Sequence, residues 1–170
     1  MIESILAFLN GLPKEIITVI LAALPISELR GAIPIALIKM EQPLGRTIIL
    51  AYLGNILPVI PLLLFLEPVS EVLRRVPLWS RFFDWLFERT KRKAEIVQRY
   101  EAIGLMLFVA VPLPVTGAWT GCIAASLFKI RFRYAFPAIC AGVAIAAVIV
   151  TILTLMGIMV IDISKIAINL

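Results

Sequence analysis

The chain has 170 residues, a formal net charge of +5, 62% hydrophobic and 16% charged residues, and a mean hydropathy of +1.05; these values exclude an ordinary soluble globular domain and indicate an integral membrane protein. It has no histidine, and its two cysteines, Cys122 and Cys140, lie in apolar surroundings without metal-ligand spacing, so histidine acid/base catalysis and metal chemistry drop out and no cofactor is expected. The length suits one membrane domain, residues 1–170, without a separate soluble domain.

The opening "MIESILAFLN" has neither a positive n-region nor a small-residue cleavage site, so a cleaved signal peptide is not expected. Residues 1–12 are too short to span and suit an interfacial helix. The apolar block 15–40 is broken at its centre by "PISELRG". Each of its arms is ~15 Å long at 1.5 Å per residue, half the hydrocarbon thickness. A re-entrant helical hairpin is therefore expected over 15–40. The block 46–66 has the length of a transmembrane helix, with Pro58 and Pro61 as kinks. In 76–100, Trp79, Phe82, Phe83, Leu86 and Phe87 recur at helical spacing among charged residues, as in an interfacial amphipathic helix with a basic end. The block 102–128 repeats the interrupted pattern, with "PLPVTG" between two apolar arms. The last block, 134–161, reads as a second transmembrane helix whose small residues permit close packing.

At an offset of 87, Pro25 falls on Pro112 and Arg46 on Arg133. The expected fold class is thus an all-α integral membrane protein built as an inverted repeat of two units, each a re-entrant helical hairpin followed by a transmembrane helix, with an interfacial amphipathic helix between them. Inversion follows because a single span separates the hairpins. In this arrangement the basic residues of 74–99 share one side with Lys129, Arg131 and Arg133, which the positive-inside rule makes cytoplasmic. Prolines at bilayer depth free backbone groups that only protein or water can cover, and two hairpins packed tip to tip would cover each other.

A charge at the bilayer centre costs ~2.5 to 3.5 kcal/mol on insertion scales, so Glu28 and Arg30 imply pairing, hydration or both. Ser27 and Thr116 are good N-cap types, and each would open a second arm whose free N–H groups and dipole favour an anion. With Arg30 adding a full charge, such a centre suits a phosphate or carboxylate headgroup. Glu28 and Arg30 also fit a static ion pair that fixes the tip. The remaining candidates for substrate or ion binding are Gly31, Asn55, Pro112, Gly117, Trp119 and Thr120. Gly31, Gly117 and Gly121 have packing and backbone geometry as their simpler role. Trp119 fits an aromatic filler as well as a stacking partner. Asn55 fits a cavity wall or a cap for a backbone group freed by Pro58. No catalytic residue emerges: Ser27 has no neighbouring histidine or lysine base and no second intramembrane carboxylate is present, so an enzyme is not expected.

"LPISELRGAIPIAL", "GNILPVIPLLLFLEP" and "VPLPVTGAWTGCIAASL" resemble the signature stretches of the small multidrug export protein family of prokaryotic membrane proteins. That family is similar in architecture to the DedA-like superfamily, whose members are viewed as two opposed re-entrant hairpins with adjoining spans and are linked to lipid movement coupled to protons or sodium. The resemblance implies a multi-pass cell-membrane transporter or lipid translocase for an anionic lipid or small amphipathic substrate, with buried acids and arginines at its centre. Glu28 and Arg30 supply one such pair; the second hairpin offers none. A small multidrug exporter and a non-transporting membrane scaffold remain as alternatives. The expected partners are membrane lipids, with anionic headgroups at the basic loop, and a second copy of the chain through small-residue faces; nucleic acid is not expected, since no recognition module is present.

Overall fold

The computed structural model describes residues 11–65, 94–112 and 116–168. The interfacial reading of 1–12 and the amphipathic reading of 76–100 therefore fall almost entirely outside the described residues. All elements among the described residues are helical. The chain divides into two compact units, Met1–Leu57 with Ala144–Leu170, and Pro58–Val143.

In the first unit, helix α1 (Lys14–Ala23) opens directly behind Pro13, whose fixed φ suits helix entry. It stops because Leu24 precedes Pro25 and adopts an extended conformation, with ψ of 138°, as steric conflict with a following proline ring requires. Helix α2 (Glu28–Pro34) begins within the "PISELRG" break, directly after Ser27, and passes through Pro34. The missing N–H of that proline leaves the Arg30 carbonyl without its usual helical donor. The helix continues as a π-helical turn over Ile35–Lys39, where the Met40 N–H bonds the Ile35 carbonyl at 3.1 Å.

The two arms fold back on each other. The Lys14 ammonium donates to the Met40 carbonyl at 2.7 Å, and Thr18 Oγ1 lies 3.2 Å from Gln42 Oε1, so the beginning of the first arm meets the end of the second. Leu21, Ala22, Leu29, Ala32 and Ile33 are buried in this unit. Pro43 then leads into α3 (Leu44–Ile56), and the apolar helical path extends to Phe65. Gly54 seats α3 against α1: a Cβ there would stand 2.5 Å from the Val19 carbonyl oxygen and 2.9 Å from Ala22 Cβ.

In the second unit, α4 (Ala94–Ala110) and α5 (Ala118–Leu127) form the arms of the other broken block. The cleft between them is lined by Glu101, Gly104, Leu105 and Phe108 on one side and by Ala124, Phe128 and Ile130 on the other, so this chain segment also turns back on itself. Helix α5 ends in a Schellman motif: the Ile130 N–H bonds the Ala125 carbonyl at 2.9 Å and the Lys129 N–H bonds the Ser126 carbonyl at 3.2 Å. Lys129 takes the left-handed position, with φ of 53°. The following helix, α6 (Phe132–Ile168), belongs to this unit as far as Val143 and to the first unit from Ala144 onward. Gly142 seats it against α4, where an added Cβ would lie 2.6 Å from the Met106 carbonyl oxygen and 2.8 Å from Val109 Cβ.

The long helices are apolar outside and small or polar inside. On α3 and its extension, Ile49, Leu53, Leu57, Ile60 and Leu64 are exposed at helical spacing while Thr47, Ala51, Gly54 and Asn55 are buried. On α6, Ile145, Val148, Ile152, Leu155 and Met159 are exposed, whereas Ala146, Ala147, Thr151 and Thr154 are buried. Water would penalise that arrangement, whereas lipid supports it, because lipid tails match leucine and isoleucine and helix contacts are made by small residues and hydroxyls. Leu44–Phe65 and Phe132–Met159 are both long and apolar enough to cross a bilayer. Among the described residues the chain is all-helical, with two helices of membrane-spanning length.

Candidate functional site

The tip of the first hairpin holds buried polar residues beside the exposed Pro25 and Ile26. Ser27 and Glu28 are 8% and 7% exposed, and Arg30 is half-buried and within range of the Glu28 charge. Glu28 adopts φ of 45°, a left-handed conformation that costs a non-glycine residue roughly 1–2 kcal/mol. A buried acid held in strained backbone is unfavourable twice over, and such outliers concentrate at functional sites.

Ser27 does not cap α2 as its residue type suggests. It precedes the helix with φ of −99° and ψ of −43°, and no side-chain cap is formed. Its hydroxyl donates instead to the Leu21 carbonyl in α1. The Glu28 N–H is also engaged, by the Leu24 carbonyl at 2.9 Å, and the Gly31 N–H by the Ser27 carbonyl at 2.8 Å. The Leu24 carbonyl, stranded at the end of the first arm, claims the first of the α2 donors, whereas the Gly31 bond to Ser27 is the first turn of α2 itself. Gly31 is there for space: a Cβ would approach Ser27 Cβ to 2.8 Å.

Asn55 belongs to the same unit, one residue beyond the Gly54 contact with α1. It is 1% exposed, and its Oδ1 has no hydrogen-bond partner among the described residues. A buried amide oxygen left unpaired costs about 1–3 kcal/mol; it presents an acceptor to whatever donor reaches it. Among the described residues of this unit, Glu28 and Asn55 supply acceptors, and Arg30 supplies a cationic donor set.

The second broken block is different in chemistry. Pro112 is half-buried, and Thr116 donates to the Val111 carbonyl at 2.7 Å. Thr116 therefore satisfies the end of α4, and Gly117, with φ of 156°, takes the place immediately before α5. Neither serine nor threonine acts as the N-cap predicted from its type. Thr120 Oγ1 donates to the Gly117 carbonyl at 3.3 Å, Trp119 is half-buried, and a Cβ on Gly121 would meet the Val109 side chain at 2.6 Å. Thr116, Thr120 and Gly121 thus bond or pack within their own hairpin, and the sequence of residues 102–128 carries no charged side chain.

Some polar groups in neither expected site are also notable. Thr18, Gln42 and Thr47 are buried at the open end of the first hairpin, where Gln42 Nε2 and Thr47 Oγ1 have no partner among the described residues. Glu101 lines the cleft of the second hairpin. Their only sequence signal is a polar residue at the margin of an apolar run, which ordinarily marks proximity to water.

With the two polar contexts placed, the comparison with known proteins becomes informative. A family model described as "Putative small multi-drug export protein" matches residues 28–149. The chain belongs to that family. No curated protein and no solved structure matches it. The region shared with the small multi-drug export family begins at Glu28 and takes in every candidate residue named above except Ser27.

Proposed function

We propose that the protein is a membrane carrier of an anionic lipid or small amphipathic substrate, working at the polar tip of the first hairpin. The observation that carries this reading is Glu28: an acid at the centre of an apolar block, buried, in strained backbone, with Arg30 and the unpaired Asn55 amide oxygen in the same unit. Intramembrane ionisable residues mark substrate and proton pathways far more often than static packing. Arg30 is the element that would hold a phosphate or carboxylate, and Glu28 the group that would exchange a proton or release Arg30 when substrate arrives. Among the described residues no nucleophile–base pair accompanies them, which favours transport over catalysis.

In this reading the hairpins are re-entrant and the chain is an internal repeat with the two halves inverted in the membrane. The glycine seats support the repeat. Gly54 and Gly142 are 88 residues apart, and their partners, Val19 with Met106 and Ala22 with Val109, are 87 apart. The same span-on-hairpin contact thus recurs in each unit. A second reading, export of cationic drugs, draws on the family description; Glu28 rather than Arg30 would then meet the substrate.

Proteoliposomes under an imposed pH gradient discriminate these readings, with a short-chain polyprenyl phosphate, an ordinary phospholipid and a cationic drug as substrates. A carrier of lipid phosphates moves the first and loses gradient-driven movement when Glu28 is replaced by Gln. Movement of the cationic drug alone would establish the exporter reading instead. Full cellular role and full stability in Glu28→Gln would establish a scaffold.

A further inference from the structure

The second arm of the first hairpin is held at both ends by backbone in an unfavourable region. Glu28, the first residue of α2, has φ of 45°, and Glu41, two residues past the π-helical turn, has φ of 53°. Neither is a glycine, and the left-handed region is unfavourable for both. At Glu41 that conformation closes the arm, since the Gln42 N–H bonds the Ala36 carbonyl at 3.0 Å across it. Midway, at Pro34, the helix gives way to the π-helical path over Ile35–Lys39, an irregularity frequent at functional sites. Strained residues at each end and an irregular middle describe a short rod with a hinge at either side.

The unit around the arm is under-satisfied. Four buried side-chain polar atoms lack a partner among the described residues, Gln42 Nε2, Thr47 Oγ1, Asn55 Oδ1 and Thr151 Oγ1, and all four belong to the first unit. Thr47 and Asn55 are shut off from solvent, so water does not reach them in this conformation. Native proteins rarely leave such groups bare. Gln42 directly follows the outer hinge, and α3, which carries Thr47 and Asn55, packs against both α1 and α2. The contact that holds the arm at its outer end is easily exchanged for water, because Lys14, which donates to the Met40 carbonyl, is itself exposed.

We propose that the second arm swings about Glu28 and Glu41, from this closed position to an open one in which water enters between the arm and α3 and hydrates Gln42, Thr47 and Asn55. Opening relaxes both left-handed residues, exchanges the bond from Lys14 to Met40 for hydration of each group, and carries Arg30 along with the arm. The inference stands on the geometry of the first unit, not on transport at Glu28, so either can fail alone.

Ala36 and Ala125 form a matched pair for the test. Both are fully buried, and each carbonyl accepts the N–H that closes the second arm of its own hairpin, from Gln42 and from Ile130. In full-length protein lacking Cys122 and Cys140, held in lipid nanodiscs, Ala36→Cys should react with 2-(trimethylammonium)ethyl methanethiosulfonate about tenfold or more faster than Ala125→Cys. Thr47→Val removes a bare hydroxyl from the closed state, and Glu41→Gly removes its backbone strain; each should slow the Ala36→Cys reaction about fivefold and raise thermal stability. Lys14→Ala should speed it. Hydrogen exchange of the unaltered protein reads the same motion without a substitution: the amides of α2 and its π-helical turn should exchange faster than those of α5. Equal reactivity of the two cysteines, an Ala36→Cys rate indifferent to both Thr47→Val and Glu41→Gly, or exchange in the second arm no faster than in α5 would each overturn the proposal.

Discussion

Gly54 and Gly45 lie nine residues apart on α3 and have opposite requirements. At Gly54 a methyl group would meet the Val19 carbonyl oxygen at 2.5 Å, and backbone cannot swing aside as a flexible side chain can. Gly54→Ala should cost about 1–3 kcal/mol, as overpacking does. Gly45 has nothing within 4 Å, so Gly45→Ala should be neutral or stabilise by about 0.5–1 kcal/mol through helix propensity. Thermal unfolding in detergent compares the two. Glu101, one residue ahead of the apolar run 102–128, adds a pH-dependent term, because burial raises its carboxyl above the ordinary value. With the folded value raised, the folded state holds its proton more firmly than the unfolded chain does, so the acid's contribution to stability falls as pH rises from about 4.3 through the raised value. Glu101→Gln should match wild type in acid and exceed it near neutrality, a gap measurable by thermal melts of lipid-free protein across that window. If the gap were constant with pH, the titration would have to be assigned to another group.

At the scale of elements, the hairpin breaks and the long helices were legible because their causes are local. Leu24 is extended since Pro25 follows it, and the apolar runs of Leu44–Phe65 and Phe132–Met159 are visible as composition. What stayed hidden depends on partners elsewhere in the chain. Pro34 looks like a breaker, yet a π-helical turn accommodates it. Ser27 and Thr116 look like caps, yet unpaired carbonyls in the preceding arms take their hydroxyls. Nothing in the sequence links Lys14 to Met40, although that contact closes the first hairpin. It is a charge-assisted bond to a carbonyl that ends a helical arm, where cations are favoured. Lys14→Ala should therefore lower stability by about 1 kcal/mol, allowing for the partly exposed site. The ion pair of Glu15 with Arg46, at 3.2 Å, is exposed on both sides, and Glu15→Gln should change stability by less than about 0.5 kcal/mol. Denaturation of the two single variants in the same detergent ranks them; a larger loss in Glu15→Gln would mean that the open end is held by its exposed ion pair rather than by the bond from Lys14 to the Met40 carbonyl.

For the molecule as a whole, the decisive quantity is length against bilayer thickness. Helix α1 has ten residues, so it rises ~15 Å, while the hydrocarbon region is ~30 Å thick. In the proposed re-entrant arrangement an arm of that length ends at mid-depth, and the bond from Lys14 to Met40 would return the chain to the level at which it entered. Full crossing by residues 15–40 would require this bond to break and α1 and α2 to align end to end, with the Glu28 and Arg30 charges facing lipid somewhere along the path. Membrane-impermeant maleimide should therefore label Lys14→Cys and Lys39→Cys, in a background lacking Cys122 and Cys140, from one and the same side of sealed vesicles. Within the second unit, Tyr100→Cys and Lys129→Cys should likewise share a side, which would be the cytoplasmic one if the basic cluster at Lys129, Arg131 and Arg133 follows the positive-inside rule. Ile26, 67% exposed at the tip between Pro25 and Ser27, separates a dry tip from a wet one: Ile26→Cys should react with a small charged thiosulfonate only if water reaches Glu28. Labelling of Lys14→Cys and Lys39→Cys from opposite sides would remove the hairpin from the membrane, and with it the reason for a buried acid to sit at its tip.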